Sequence, residues 1–428
     1  MKKILKSIVA FMLALVARIV VHRYAPRVVM VTGSVGKTST KDAVAAILAA
    51  RFFVRASEKS FNSEFGVPFT ILGVKNPWYD PLEWFFLAKN ALALLLLPNH
   101  YPTMLVLEVG ADRPGDLARI LRIATPDAVV VTRLPEISVH VEAYVSPEAV
   151  REEEFSPAYA LAAAAPLIVP ADDLFVLDMA MRTPARVLSY GSTENASVRM
   201  SNVDFYEEDG KVAGMQATMH VGGEHKNFIV RGSVGKTQLL PIAAALAVAH
   251  AFLIPFSEAH EALVNYETPP ARGRLFAGKN ESIIIDDSYN ASPAAVEEAL
   301  ATLKAFPMRP PVDGRRIAVL GDMLELGRYS AMEHERISAL ANDSADVIAT
   351  VGIRARAFGV VSAGVEVISF DTARAAVAAL SEFIHAGDVV LVKGSQAIRT
   401  ERIVEALLAN PADTARLVRQ EKAWKQKV

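Results

Sequence analysis

Residues 28–40 read VVMVTGSVGKTST. The apolar run from Val28 to Val31 predicts a buried strand, and the pattern KDAVAAILAA from Lys41 predicts the helix that follows. Between them Gly33 and Gly36 free the backbone to wrap phosphate oxygens, and the helix would point its first amides at the same place. In such a loop Lys37 offsets β/γ-phosphate charge and Thr38 offers a hydroxyl to Mg2+, while Ser34 and Ser39 complete the candidate nucleotide contacts. The match to G-x-x-x-x-G-K-[ST] is imperfect, because Val31 stands where the first glycine belongs. The bland alternative is a glycine-rich strand–helix turn with an exposed lysine.

A chain of 428 residues is too long for one ordinary core, so two or three domains are expected. Hydrophobic residues make up 52% against 21% charged, which excludes a disordered chain. A formal net charge of −2 argues against a nucleic-acid partner held by a basic surface. The absence of cysteine excludes disulfides, thiolate metal sites and cysteine nucleophiles, and fits an ATP-using protein of the cytoplasm.

The first residues, MKKILKSIVAFMLALVARIVVHRY, imitate a secretory signal, yet the phosphate-loop strand begins by Arg27 and leaves little room for a separate cleaved segment. Three readings stay open: a helix packed on its own domain or a partner, an anchor at the inner membrane surface, and a true span. A second apolar patch, Trp84 to Leu97, strengthens the anchor reading.

Further along, FNSEFGVPFTILG marks a loop leading into a helix, and TMLVLEVGADRPGDL reads as a buried strand ending on Glu108. A carboxylate at that end of a parallel strand is placed to reach a metal on the first loop's nucleotide, or else is satisfied by nearby amides. His140 and the run Arg151 to Glu154 do not make a site on spacing alone. From Arg186 to Val230 alternation predicts a small antiparallel sheet appended to the parallel one. The letters GSVGKT then recur at Gly232 to Thr237. Here the preceding strand is antiparallel in character, Gln238 replaces the second hydroxyl residue and Pro241 sits just inside the helix, so the segment reads as a turn rather than a second nucleotide site.

Pro269-Pro270 is the clearest linker. Beyond it strand–helix alternation restarts without a second phosphate loop, and its strand ends carry Asp286, Asp287, Asp322 and Lys393. The expected class is α/β: a central P-loop ATPase domain with a parallel sheet plus a small antiparallel sheet, followed by a Rossmann-like domain. The expected segments are a hydrophobic N-terminal helix at 1–26, an ATP-binding domain at 27–268 and a C-terminal domain at 269–428.

Taken in order, TGSVGKTST, FNSEFGVPFTILG, LEVGADRPGDL, ARGRL, DDSYNASP, VLGDMLELG and LVKGSQAIRTE resemble the Mur ligases, from about Arg27 to the C-terminus. Within that family, DDSYNASP followed by VLGDMLELG resembles the branch that adds D-alanyl-D-alanine to UDP-muramoyl-tripeptide in peptidoglycan synthesis. The resemblance implies ATP and two Mg2+ as cofactors and an acyl-phosphate route to the amide. It implies that Gly33, Gly36, Lys37 and Thr38 hold phosphates and one Mg2+, that Glu108 ligates metal, and that His140 lies near the second Mg2+. Arg274 would face the phosphates from the linker, and Tyr289 and Asn290 would pack on adenine. Asn62 would look at the muramoyl-peptide and Asp322 at the incoming amine.

Two departures stand out. The family's separate UDP-gripping domain is replaced here by the apolar N-terminal helix. Glu154 stands where the family has a carbamylated lysine that bridges metals, which makes its carboxylate a candidate second-metal ligand, and Arg133 stands where the family usually has asparagine. Two alternatives therefore accompany the ligase: a related ligase with another acceptor, and a nucleotide-binding scaffold without turnover.

Overall fold

The computed structural model describes residues 2–58, 61–77, 80–308, 314–359 and 364–425. Met1 and residues 426–428, the ends of the first and last expected segments, lie outside these.

Nine strands form the first sheet: β1 Arg27–Thr32, β2 Val54–Ala56, β3 Met104–Glu108, β4 Ala128–Val131, β5 Pro166–Pro170, β6 Arg186–Gly191, β7 Val198–Glu208, β8 Lys211–Val221 and β9 Glu224–Arg231. Their order is β2-β3-β1-β4-β5-β6-β7-β8-β9. Strands up to β7 pair in parallel, whereas β7, β8 and β9 form antiparallel hairpins. The antiparallel strands continue the parallel sheet through the Tyr190–Val198 and Gly191–Arg199 pairs. Strands β3 and β4 are buried along their whole length, as strands covered on both faces must be, and read as unbroken apolar runs.

A second sheet holds β10 Arg274–Ala277, β11 Ile283–Asp286, β12 Arg316–Gly321, β13 Val347–Val351, β14 Glu366–Phe370 and β15 Val389–Lys393, in the order β10-β11-β15-β12-β13-β14. Among the described strands of this sheet only β10 runs antiparallel to its neighbour. We call the parts built on the two sheets the large and small lobes.

The helices are α1 Lys2–Tyr24, α2 Lys37–Ala49, α3 Gly66–Leu72, α4 Pro81–Leu96, α5 Asp116–Leu121, α6 Pro147–Tyr159, α7 Leu174–Ala180, α8 Leu240–Ala251 and α9 Phe256–Leu263, then α10 Pro293–Ala305, α11 Ser330–Ser344, α12 Ala373–Phe383, α13 Glu401–Leu407 and α14 Lys422–Lys425. Sequence chemistry sets several starts. Asp80, Ser146 and Ser292 each accept a backbone N–H at the head of α4, α6 and α10, and a proline follows each cap. Helices α2 and α8 cover one face of the large sheet, and α1, α3, α4 and α6 cover the other. Among the described residues α1 is the one helix long and apolar enough to cross a membrane, over Leu5–Tyr24. Its Ala10, Leu13, Ala17 and Val20 are buried in the large lobe.

Candidate active site

Strand β1 lies between β3 and β4 in the middle of the large sheet and delivers the chain to Gly33. Gly33 has φ +116°, and a Cβ there would stand 2.3 Å from the Thr132 hydroxyl at the end of β4. Gly36, at φ +89°, precedes α2, whose first amides have no side-chain cap. Uncapped amides at the head of a three-turn helix suit an anion. The Lys37 ammonium folds back to donate to the Gly33 carbonyl. These residues open on a cleft of about 800 Å³ between the lobes, lined here by Ser34, Gly36, Lys37, Thr38 and Ser39.

Glu108 ends β3, beside Val31 of β1, and also lines the cleft. Its side chain is buried and its Oε2 has no hydrogen-bond partner. Burial raises its pKa, against the pull of Lys37, Lys41 and a hydrogen bond from Thr38. An orphaned buried carboxylate oxygen beside a threonine hydroxyl is a hard donor pair that fits Mg2+. No group of three or more His, Asp or Glu among the described residues could hold a metal unaided. Glu108 and Thr38 would therefore hold Mg2+ together with phosphate oxygens and water, as that ion prefers. Asn62 also lines the cleft, and a Cβ on Gly110 would lie 3.2 Å from its amide and 3.3 Å from the Lys37 side chain.

The lobes meet through two charged bridges. His140, at φ +65°, has Nδ1 2.9 Å from Glu325 and Nε2 3.6 Å from Asp112. Burial works to lower its pKa, but the hydrogen bond to Glu325 and the charges of Glu325 and Asp112 outweigh it and leave the imidazole above its ordinary value. The same bond holds Glu325 below its ordinary value. Arg133 pairs with Glu298 of α10 at 2.7 Å.

From the small lobe, Lys393 at the end of β15 pairs with Asp287 at 2.5 Å and donates to the Asn290 carbonyl at 3.1 Å. The Arg272 guanidinium lies 3.9 Å over the Tyr289 ring. Lys393, Arg272, Tyr289, Asn290, Glu325 and Trp424 all line the cleft.

Of the residues singled out in the sequence, Ser34, Gly36, Lys37, Thr38, Ser39, Asn62, Glu108, His140, Tyr289 and Asn290 are brought to this one cleft. Gly33, Glu154, Arg274 and Asp322 are not among its lining. Arg274 turns into the linker, donating to the Thr268 carbonyl and pairing with Glu267 at 2.8 Å. Asp322 accepts the Ala355 N–H at 2.7 Å. Glu154 is buried behind the phosphate loop: Oε2 accepts from the Thr32 hydroxyl at 3.0 Å and the Gly33 N–H at 3.3 Å, and Oε1 from the Ala111 N–H at 3.3 Å. Its carboxylate ties together α6, the loop after β1 and the turn after β3. Arg272 and Glu325 were missed, although both lie inside quoted motifs. Trp424 carries no local signal.

Comparison with known proteins accounts for this arrangement. Residues 85–249 match the Mur ligase middle domain, and residues 272–396 match the Mur ligase glutamate ligase domain. The UDP-N-acetylmuramoyl-tripeptide–D-alanyl-D-alanine ligase of Mycobacterium leprae is 30% identical over 413 residues, covering 90% of this chain and 74% of that protein. The chain belongs to the Mur ligase family. The ligase of the same name from Bacillus subtilis is 27% identical over 90% of this Mur ligase and 76% of its own length. Among solved structures, a MurF ligase from Thermotoga maritima in complex with ADP superposes with a TM-score of 0.75 at 26% identity, covering 93% of this chain and 83% of that one. The α/β architecture of this Mur ligase thus has an ADP-bound counterpart.

Proposed function

We propose that this Mur ligase joins D-alanyl-D-alanine to UDP-N-acetylmuramoyl-tripeptide in peptidoglycan precursor synthesis, cleaving ATP to ADP and phosphate. The observation that carries the reading is the cleft itself. An uncapped helix start, Lys37 and the unpartnered Glu108 oxygen share one cleft between the lobes with Lys393, Arg272 and Tyr289. The names of the relatives over nine-tenths of the chain supply the substrates.

A carboxylate is a poor acceptor for an amine. In the first step its oxygen bonds to the γ-phosphorus while the bond to ADP breaks, giving an acyl phosphate. In the second the amine nitrogen of the dipeptide bonds to the acyl carbon, the amine loses a proton and inorganic phosphate leaves. The α2 amides and the Lys37 ammonium offset charge building on the transferred group. Mg2+, held by Thr38 and Glu108, would supply Lewis-acid charge to the phosphate oxygens. Tyr289, backed by Arg272, offers a ring face to the adenine, and Asn62 offers an amide to the muramoyl-peptide. The His140–Glu325 and Arg133–Glu298 bridges keep the lobes together, so that amine and acyl group meet and water is kept out. A second Mg2+ near His140 belongs to the same reading. We place the enzyme in the cytoplasm, with the N-terminal helix in contact with the inner membrane surface.

ADP release, measured with the nucleotide-sugar peptide and the dipeptide each omitted in turn, tests the reading. Release should require both substrates and stop when Mg2+ is chelated. Turnover with another amine alone would point to a different acceptor, and ATP binding without any turnover to a scaffold.

A further inference from the structure

We propose that α1 and α4 together form one apolar face that lies flat on an anionic phospholipid surface. The proposal deepens the membrane contact named above and rests on that part of the reading, not on the ligase chemistry. Both helices pack on the same side of the large sheet and are joined at their ends. Arg23 donates to the Leu95 carbonyl at 2.6 Å and Tyr24 to the Leu94 carbonyl at 3.0 Å.

Each helix is apolar on two opposite stripes. The inner stripe of α1 is Ala10, Leu13, Ala17 and Val20, and that of α4 is Leu87, Ala91 and Leu94. A surface helix of a water-soluble protein turns polar residues outward. Here the outward stripe of α1 is Leu5, Ile8, Met12, Leu15 and Ile19, and α4 shows Leu82, Phe85, Phe86, Leu92 and Leu96, all exposed. Counting Phe11 and Leu97, 12 of the 23 exposed large hydrophobic residues described belong to this pair, so the patch is a concentration rather than the usual scatter.

Charge chooses the occupant. The first acidic residue of the chain is Asp42, and exposed Lys6, Arg18 and Arg23 accompany the α1 stripe; α4 carries exposed Lys89 amid its stripe, with Asp80 and Glu83 confined to its N-terminal end. The purely basic edge of α1, in a chain of net charge −2, complements an anionic headgroup layer. The inner stripe also fixes the mode of binding. Spanning takes about 20 residues free of the protein, and α1 is held to the large lobe from Ala10 to Tyr24. The helix lies in the interface and does not cross. Among the described residues none of either helix lines the cleft, so contact with lipid through this face does not cover it.

The test is sedimentation of the full chain with vesicles of phosphatidylcholine alone or mixed with phosphatidylglycerol. Binding should favour the mixed vesicles and fall with salt, with Arg18→Ala or Lys89→Ala each weakening it about fivefold. Leu15→Glu/Ile19→Glu on α1 and Phe85→Ser/Phe86→Ser on α4 should each lose at least about tenfold. Circular dichroism and vesicle-free ADP release should stay unchanged in all four variants, which separates failure of this proposal from failure of the ligase reading. The proposal is overturned if the wild type ignores anionic vesicles, or if binding is indifferent to both double variants. It is equally overturned by a lipid-free dimer that the double variants dissolve, where a second copy covers the face, or by an N-terminal tag protected inside the vesicle, where the helix spans.

Discussion

The letters GSVGKT occur twice, at Gly33 to Thr38 and at Gly232 to Thr237, and the two copies fold differently. The first leaves β1 in the middle of the parallel part of the sheet and enters the 13-residue α2 at once. The second leaves the edge strand β9, is pinned by a bond from the Val234 N–H to the Gly273 carbonyl at 2.8 Å, and makes a short 3-10 turn at Lys236–Gln238 before α8. Lys37 lines the cleft; Lys236 is exposed outside it and lends its charge to lowering the Asp172 pKa, whose largest influence, burial, acts the other way. On the proposed function, phosphate binding depends on the strand that delivers a loop and the helix that receives it, not on the six letters. The second copy is still used: Val234, Thr237 and Gln238 form part of the cleft wall.

Substitutions can break this contrast. Lys37→Ala should lower kcat/KM for ATP about 10²- to 10³-fold, whereas Lys236→Ala should stay within about twofold of wild type, both read from initial rates of ADP release. Gly33→Ala and Gly235→Ala both force a side chain onto positive φ, the first against Thr132 and the second 2.9 Å from Thr302 of α10. Each should cost about 1–3 kcal/mol in denaturant unfolding, but only Gly33→Ala should also abolish binding of an ATP analogue in calorimetry.

Glu154 sharpens the same comparison: its carboxylate braces the first loop, while the second is held by the Val234–Gly273 and Ser233–Thr268 bonds. Glu154→Gln leaves one acceptor where two were used and should cost about 1–3 kcal/mol of stability, with a weaker ATP KM. If its role is to hold the loop, the Mg2+ concentration giving half-maximal rate should not move. A large rise in that concentration would restore the metal-ligand role.

The smallest expected effect concerns pH. His140 has a raised pKa in the fold, so its bridge contributes stability fully below its unfolded value and loses it as pH rises through the folded value. Glu325 has a lowered pKa, so its share is present above its unfolded value and is lost as pH falls through the folded one. The bridge is thus strongest between the ordinary carboxylate and imidazole ranges. Glu325→Gln should lower the His140 pKa, as followed by NMR titration of the ring protons, and should leave ATP binding intact.

Much of this was legible in the sequence because it is local. Buried parallel strands announce themselves as apolar runs, and the caps at Asp80, Ser146 and Ser292 lie next to the helices they start. The loop residues and Glu108 could be assigned to one cleft because strand ends converge on one edge of such a sheet. What was not legible depends on direction and distance. Glu154 has the right chemistry for a metal, but whether α6 turns it to the cleft or to the back of the loop is set by packing. Arg272 and Arg274 are two residues apart, and only the fold decides which one meets Tyr289 and which one meets the linker. The continuity of the antiparallel strands with the parallel sheet rests on two residue pairs and leaves no mark on the pattern of either strand.

The central claim is that the first loop, and only the first, drives ligation in the cleft between the lobes. The direct measurement is ADP release in the presence of UDP-N-acetylmuramoyl-tripeptide, D-alanyl-D-alanine and Mg2+, with each substrate omitted in turn, for the wild type, Lys37→Ala and Lys236→Ala. The account predicts release that needs both substrates in the wild type and in Lys236→Ala, and release lowered about 10²- to 10³-fold in Lys37→Ala. Release that continues without the dipeptide, or an equal loss in the two lysine variants, would contradict it.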